Sequence, residues 1–222
     1  FVGTYGPGGG SSTWTYLNGN ITGDGVVGFN SDNTIINSHS IPNVSFGNLS
    51  SATQTKTVNA GDVLTITDTA WTLDDNRVNL AGEIDVLGDF YAMNTGVGDG
   101  GSANINFVGL GAQKFSGNYQ NLPQTDGTRG RLPNIFINKS AGTLQIEDTI
   151  AVAGDWTYQN GTVDASTLGS TIFFHEDGQI IDGENGGNTM DLDNMVIVGG
   201  FTRTLQGNIG FNSQTDVNNG FI

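Results

Sequence analysis

The stretch Ile150-Ala151-Val152-Ala153-Gly154-Asp155-Trp156-Thr157-Tyr158-Gln159-Asn160-Gly161 decides how this chain is read, because parts of it occur twice more. Its second half matches Trp14-Thr15-Tyr16-Leu17-Asn18-Gly19, and its first half lines up with Ile84-Asp85-Val86-Leu87-Gly88-Asp89-Phe90-Tyr91. A second block follows each copy: Val26-Val27-Gly28-Phe29 with Ile35-Ile36, Ile105-Asn106-Phe107 with Lys114-Phe115, and Thr171-Ile172-Phe173-Phe174 with Ile180-Ile181. The third comprises Ile41-Pro42-Asn43-Val44-Ser45-Phe46, Leu132-Pro133-Asn134-Ile135-Phe136-Ile137 and Leu192-Asp193-Asn194-Met195-Val196-Ile197. Chance similarity would not preserve the order of three blocks, so the chain is an internal repeat. Modules of about 66 to 76 residues cover 14–80, 81–149 and 150–210 as one repetitive β domain, between a Gly-rich extension at 1–13 and an extension at 211–222.

Each module is a series of short β-branched and aromatic runs, such as Val63-Leu64-Thr65-Ile66, punctuated by Gly, Asn and Asp. No helical period extends beyond about two turns. Units that bury their apolar side only against neighbours stack as a solenoid, and a module of this length supplies roughly three coils of about 22 residues. The expected fold is all-β, a parallel β-helix whose corners use the left-handed backbone that Gly and Asn tolerate. The alternative is an antiparallel β-sandwich or jelly roll, favoured by the hairpin signals Asn18-Gly19 and Asn160-Gly161.

Glycine accounts for 35 of 222 residues and proline for 4, while 36% of residues are hydrophobic, a mixture that fits neither collagen nor a disordered tail. Twenty-two acidic residues against seven scattered basic ones give a formal charge of −15. Nucleic acid and anionic membranes are therefore disfavoured partners, since both need a basic footprint. Cysteine is absent, which leaves the redox compartment open. No apolar run approaches the roughly 20 residues of a membrane-spanning helix, and the chain starts at Phe1, as a mature product or an excised fragment would.

The run Phe107-Val108-Gly109-Leu110-Gly111-Ala112-Gln113-Lys114-Phe115-Ser116-Gly117, then 132–144, then Gly154-Asp155-Trp156, resembles repeats of large secreted bacterial surface proteins of β-helical, adhesin-like type. The resemblance covers about residues 80 to 200 well and the first 80 loosely, with 118–131, including Arg129 and Arg131, as an insertion. It implies a β-solenoid at the cell surface and supplies no catalytic residue.

Candidate chemistry is sparse. His175-Glu176-Asp177-Gly178 is the densest polar cluster and reads as a turn, while His39 has no matching carboxylates. Asp74 and Asp75 with Arg77 outline the only pattern resembling a polysaccharide lyase, whose acidic substrate the chain's negative field would repel. Asp74, Asp75 and Asp99, the last within Gly96-Val97-Gly98-Asp99-Gly100-Gly101, are weak Ca²⁺ candidates. Strand alternation turns Trp14 with Tyr16, and Trp156 with Tyr158, towards the core; Trp71 is the better candidate for an exposed ring but is also assigned to the core. Five sequons, at Asn20, Asn43, Asn48, Asn138 and Asn160, permit glycosylation without arguing for it.

The expected role is structural and not enzymatic: an extracellular or cell-surface subunit that polymerises with copies of itself. Phe1, Val2 and Tyr5 at one end, and Phe221 and Ile222 at the other, are the expected head-to-tail contacts, through strand addition and apolar burial. The alternative is an adhesin or stalk module that binds carbohydrate through 118–131. A polysaccharide-degrading β-helix enzyme ranks third.

Overall fold

In a computed structural model the chain is a β-solenoid. The structure describes residues 12–15, 17, 19–30, 33–47, 54–72, 78–92, 100–117, 130–165, 169–185, 188–198, 200 and 202–218. Among them there is no helix, and strand pairing is parallel except where Glu184 faces Thr189 in a short hairpin. The antiparallel sandwich is thereby excluded. Asn160-Gly161, a hairpin signal in the sequence, instead turns a corner between two faces, with Gly161 at φ 111° and no reversal of the chain.

Each coil has up to three strands, so the solenoid is a three-faced prism. The first face stacks Ser12–Trp14, Thr34–Ile36, Gln54–Val58 and Val78–Ala81. It resumes past Gly100, whose backbone abuts Arg131 and Leu132, as Arg131–Leu132, 149–152, Thr171–Phe174, 194–197 and 214–217. On the second face His39, Leu64, Ile84, Ile105, Ile135, Trp156, Ile181 and Leu205 stand in register. The third stacks Val27, Val44, Ala70, Phe90, Phe115 and Ile146. The solenoid makes about seven turns, fewer than three modules of three coils would give.

Alternation explains why these residues form these strands. Asn104–Phe107 and Asp89–Ala92 both alternate half-exposed and buried, so every second side chain enters the prism. Burying one such Ile, Leu or Phe stabilises the coil by about 1.5–3 kcal/mol, and the register places another apolar side chain above it. Rings run continuously through the interior: Phe90 meets Phe107 at 6.2 Å and Phe115 at 5.8 Å, Phe115 meets Trp156 at 6.4 Å, and Trp156 meets Phe174 at 6.0 Å. Trp156 and Tyr158 are core as expected, whereas Trp14 is only partly buried and Tyr16 lies outside the described residues.

The sequence repeat and the coil repeat differ. Trp14 lies on the first face, its counterpart Phe90 on the third, and Trp156 on the second. The other blocks follow the same rotation: Val44, Ile135 and Met195 occupy the third, second and first faces. A module is therefore not a whole number of coils, and each copy is set one face round from the last.

Candidate functional surfaces

The repeat carries an atomic motif at its corners. Gln113, 1% exposed, donates from Nε2 to the carbonyls of Val86 (2.9 Å) and Gly88 (2.7 Å) and accepts from the Gly109 N–H at 3.1 Å. Gln179, 3% exposed, does the same one module later, with Val152 O (3.1 Å), Gly154 O (2.7 Å) and Glu176 N (2.8 Å). The preceding aspartates match as well: Asp89 accepts from Lys114 N and Asp155 from Ile180 N, each at 2.8 Å. The buried amides replace the partners that the backbone loses where strand pairing stops at a corner.

A cation from a later coil closes each corner. The Lys139 ammonium, 0% exposed as a residue, donates to Gly109 O at 2.6 Å, Gly111 O at 3.0 Å and Gln113 Oε1. At the second corner Arg203 donates to Val198 O at 2.8 Å and Phe174 O at 3.0 Å. His175 and Glu176 belong to this corner. Arg131 donates to the Glu176 carboxylate and, at 3.2 Å, to His175 Nδ1, which must therefore be the unprotonated nitrogen. Burial, and next the nearby Arg131 charge, lowers the His175 pKa below its ordinary value and keeps the ring neutral. The His175–Gly178 cluster is a structural turn, between two faces of the same coil.

Two outward surfaces have binding chemistry. A groove of about 450 Å³ on the second face is lined by Glu83, Asp85, Asn104, Asn106, Phe136 and Asp155, among others. Its side chains bond along the solenoid axis: Asn104 Nδ2 to Glu83 at 2.5 Å, Asn106 Nδ2 to Asp85 at 2.9 Å, and Asn134 Nδ2 to Asn104 Oδ1 at 3.0 Å. Half-buried Phe136 lies among these amides and carboxylates.

On the third face Trp71 and Tyr91 are register neighbours with near-parallel rings, 6.4 Å apart at 15°. Trp71 is thus outward and half-buried, correcting its assignment to the core; Ala70 and Thr72 are the inward residues of that strand. Tyr91 Oη donates to Asp89 at 3.3 Å, and burial, followed by the Asp89 charge, raises its pKa. Lys114 pairs with Glu147 at 3.0 Å in the same region, and that bond raises the lysine pKa.

No family model, curated protein or solved structure matches the chain.

The remaining sequence candidates contribute less. Asp74, Asp75, Arg77 and Asp99, and the expected assembly residues Phe1, Val2, Tyr5, Phe221 and Ile222, lie outside the described residues, as do 118–129 of the insertion. Among the described residues no three His, Cys, Asp or Glu side chains gather to hold a metal ion. Of the sequons, Asn20 and Asn160 are exposed, Asn43 is 5% exposed and Asn48 is outside the described residues. Lys139, Gln113 and Gln179 escaped sequence reasoning, although both glutamines sit at matching places in successive modules.

Proposed function

We propose that the chain is a structural subunit of an extracellular or cell-surface filament, built by head-to-tail stacking of solenoids. The observation that carries this reading is that the outermost described strands at each end pair on one side only. Among the described residues, Ser12–Trp14 and Val26–Phe29 at one end each pair with a strand on one side only. Thr204–Gln206 and Ile209–Asn218 do the same at the other. Strand edges on more than one face offer unpaired N–H and C=O groups to the complementary end of a second copy. The interior supports the same reading, because Lys139, Gln113 and Gln179 are spent on corner carbonyls, a structural use of buried polar groups. Purified chain should form uniform filaments in negative-stain micrographs, increasingly so as concentration rises. A monodisperse monomer at all concentrations and salt levels would overturn the reading.

A second reading rests on the outward Trp71–Tyr91 pair: an adhesin or stalk that binds carbohydrate. Stacked rings beside carboxylates and amides suit an uncharged sugar face with hydroxyls at its edge. Binding on a glycan array that Trp71→Ala abolishes would favour it. An enzyme acting on polysaccharide would need turnover that depends on Asp74, Asp75 or Arg77.

A further inference from the structure

We propose that His39 is an acid-sensitive catch holding the first described strand, and that its release bares a sheet edge to which a second copy of the chain adds a strand. The assembly half rests on the filament reading; the catch does not.

Ser12–Trp14 is a three-residue strand that pairs only with Thr34–Ile36 among the described residues. So short a ladder is held largely by the Trp14 side chain. Its ring packs edge-on against Phe29 at 5.8 Å and lies 6.0 Å from His39 at an interplanar angle of 25°. Its indole Nε1–H donates to His39 Nε2 at 2.7 Å. The other imidazole nitrogen, Nδ1, lies 2.6 Å from the Asn37 carbonyl. A carbonyl only accepts and an indole N–H only donates, so Nδ1 carries the proton and Nε2 is bare. The arrangement accommodates one tautomer of the neutral ring. A second proton would set N–H against N–H and break the bond to Trp14.

Burial works against the charged ring. His39 is 8% exposed, and burial holds its pKa below the ordinary 6.5 despite the Asn37 carbonyl, which works the other way. Beside the preceding two residues stands Asp62, which accepts from Ser38 Oγ at 2.7 Å and Asn37 Nδ2 at 3.3 Å. The Ser38 bond lowers the Asp62 pKa, so that group stays ionised while histidine titrates. The strand Val63–Thr72, against which His39 pairs, carries Asp68, which is exposed; Gln54–Val58 carries the buried Lys56. Ser12–Trp14, Val26–Phe29 and Thr34–Ile36 carry no charged side chain. Because the folded pKa lies below the unfolded one, the hold is complete above about pH 6.5 and is lost as pH falls through the folded value.

Hydrogen exchange by mass spectrometry on the 222-residue chain tests this at pH 7.5 and pH 5, after correction for intrinsic exchange. Amides of 12–14 and 34–37 should lose about tenfold in protection at pH 5, the equivalent of one lost hydrogen bond, while 84–107 stays unchanged. In His39→Gln the amide oxygen accepts from Trp14 without titrating, so its protection should not change with pH. Trp14→Phe removes the bond and should leave 12–14 poorly protected at both pH values. Equal losses in wild type and His39→Gln, or none in wild type, would overturn the catch. Light scattering then separates the two halves: polymer that increases at pH 5 in wild type but not in His39→Gln supports both. Release without polymer keeps the catch and overturns the docking of a second copy at that edge.

Discussion

Replacing Lys139 with Met removes the ammonium that closes the Gly109–Gln113 corner while keeping most of the side-chain length. Three oxygens lose a charged donor, those of Gly109 and Gln113 in a buried place and that of exposed Gly111 at its edge. Each buried acceptor left unpaired costs about 1–3 kcal/mol. Against this, the variant no longer has to desolvate an ammonium, a cost of several kcal/mol that no carboxylate offsets here. The net expectation is a loss of about 1–3 kcal/mol, because the relieved desolvation offsets part of the cost of the orphaned neutral acceptors and no buried charge is left behind. A coil interacts mainly with its neighbours, so the damage should concentrate there: exchange at 108–113 and 135–146 should rise first. The pairing supplies an internal control. Lys139→Met combined with Gln113→Leu removes one of the orphaned acceptors and should cost less than the sum of the two single changes. Urea unfolding followed by circular dichroism measures all four proteins. If Lys139→Met lies within about 0.5 kcal/mol of wild type, the lysine is not satisfying the corner and the reasoning is wrong.

Gly88→Ala should unfold or severely destabilise the chain, because a Cβ there would lie 1.7 Å from the Asp68 carbonyl oxygen, whereas Gly25→Ala, with nothing within 4 Å, should be silent in the same thermal melt. Gln113→Leu and Gln179→Leu should each cost about 2–4 kcal/mol, since each deprives one carbonyl (Gly88 or Gly154) and one N–H (Gly109 or Glu176) of the amide, while Val86 O and Val152 O keep their bonds from Val108 N and His175 N; a large disparity between them in urea unfolding would show that the two corners are not equivalent.

Fold class was legible because two local signals agreed. Apolar residues alternate within short runs, and three blocks recur in order, so a stacked arrangement satisfies every module in the same way. The corner chemistry was hidden because glutamine is ordinarily a surface residue. Nothing in Ala112-Gln113-Lys114 or Gly178-Gln179-Ile180 announces burial; only their shared place in the module would have pointed to it. Trp71, the better candidate for an exposed ring yet assigned to the core, is settled by its position in the strand. Leu64 and Ile66 point inward, and the same alternation sends Ala70 and Thr72 inward and Trp71 out. For that strand the periodicity was the better guide than hydrophobicity. Which face the chain has reached at each coil end was hidden, since the sequence shows order without phase.

That missing phase matters for function. Because a module falls short of whole coils, the aromatic block faces inward from the first, third and second faces in its three copies. Bulky rings are thereby distributed round the prism, so no face must accommodate all of them and the column is not wedged towards one side. The same rotation moves the outer surfaces: positions equivalent to the amide groove on the second face and to the Trp71–Tyr91 pair on the third fall on a different face one module along. Two copies lying side by side would find no repeating surface along which to slide into alternative registers. The ends differ in this respect, since backbone edges pair regardless of which side chains flank them. On the proposed filament reading, such a solenoid should grow along its axis in preference to aggregating laterally, giving a filament one subunit wide.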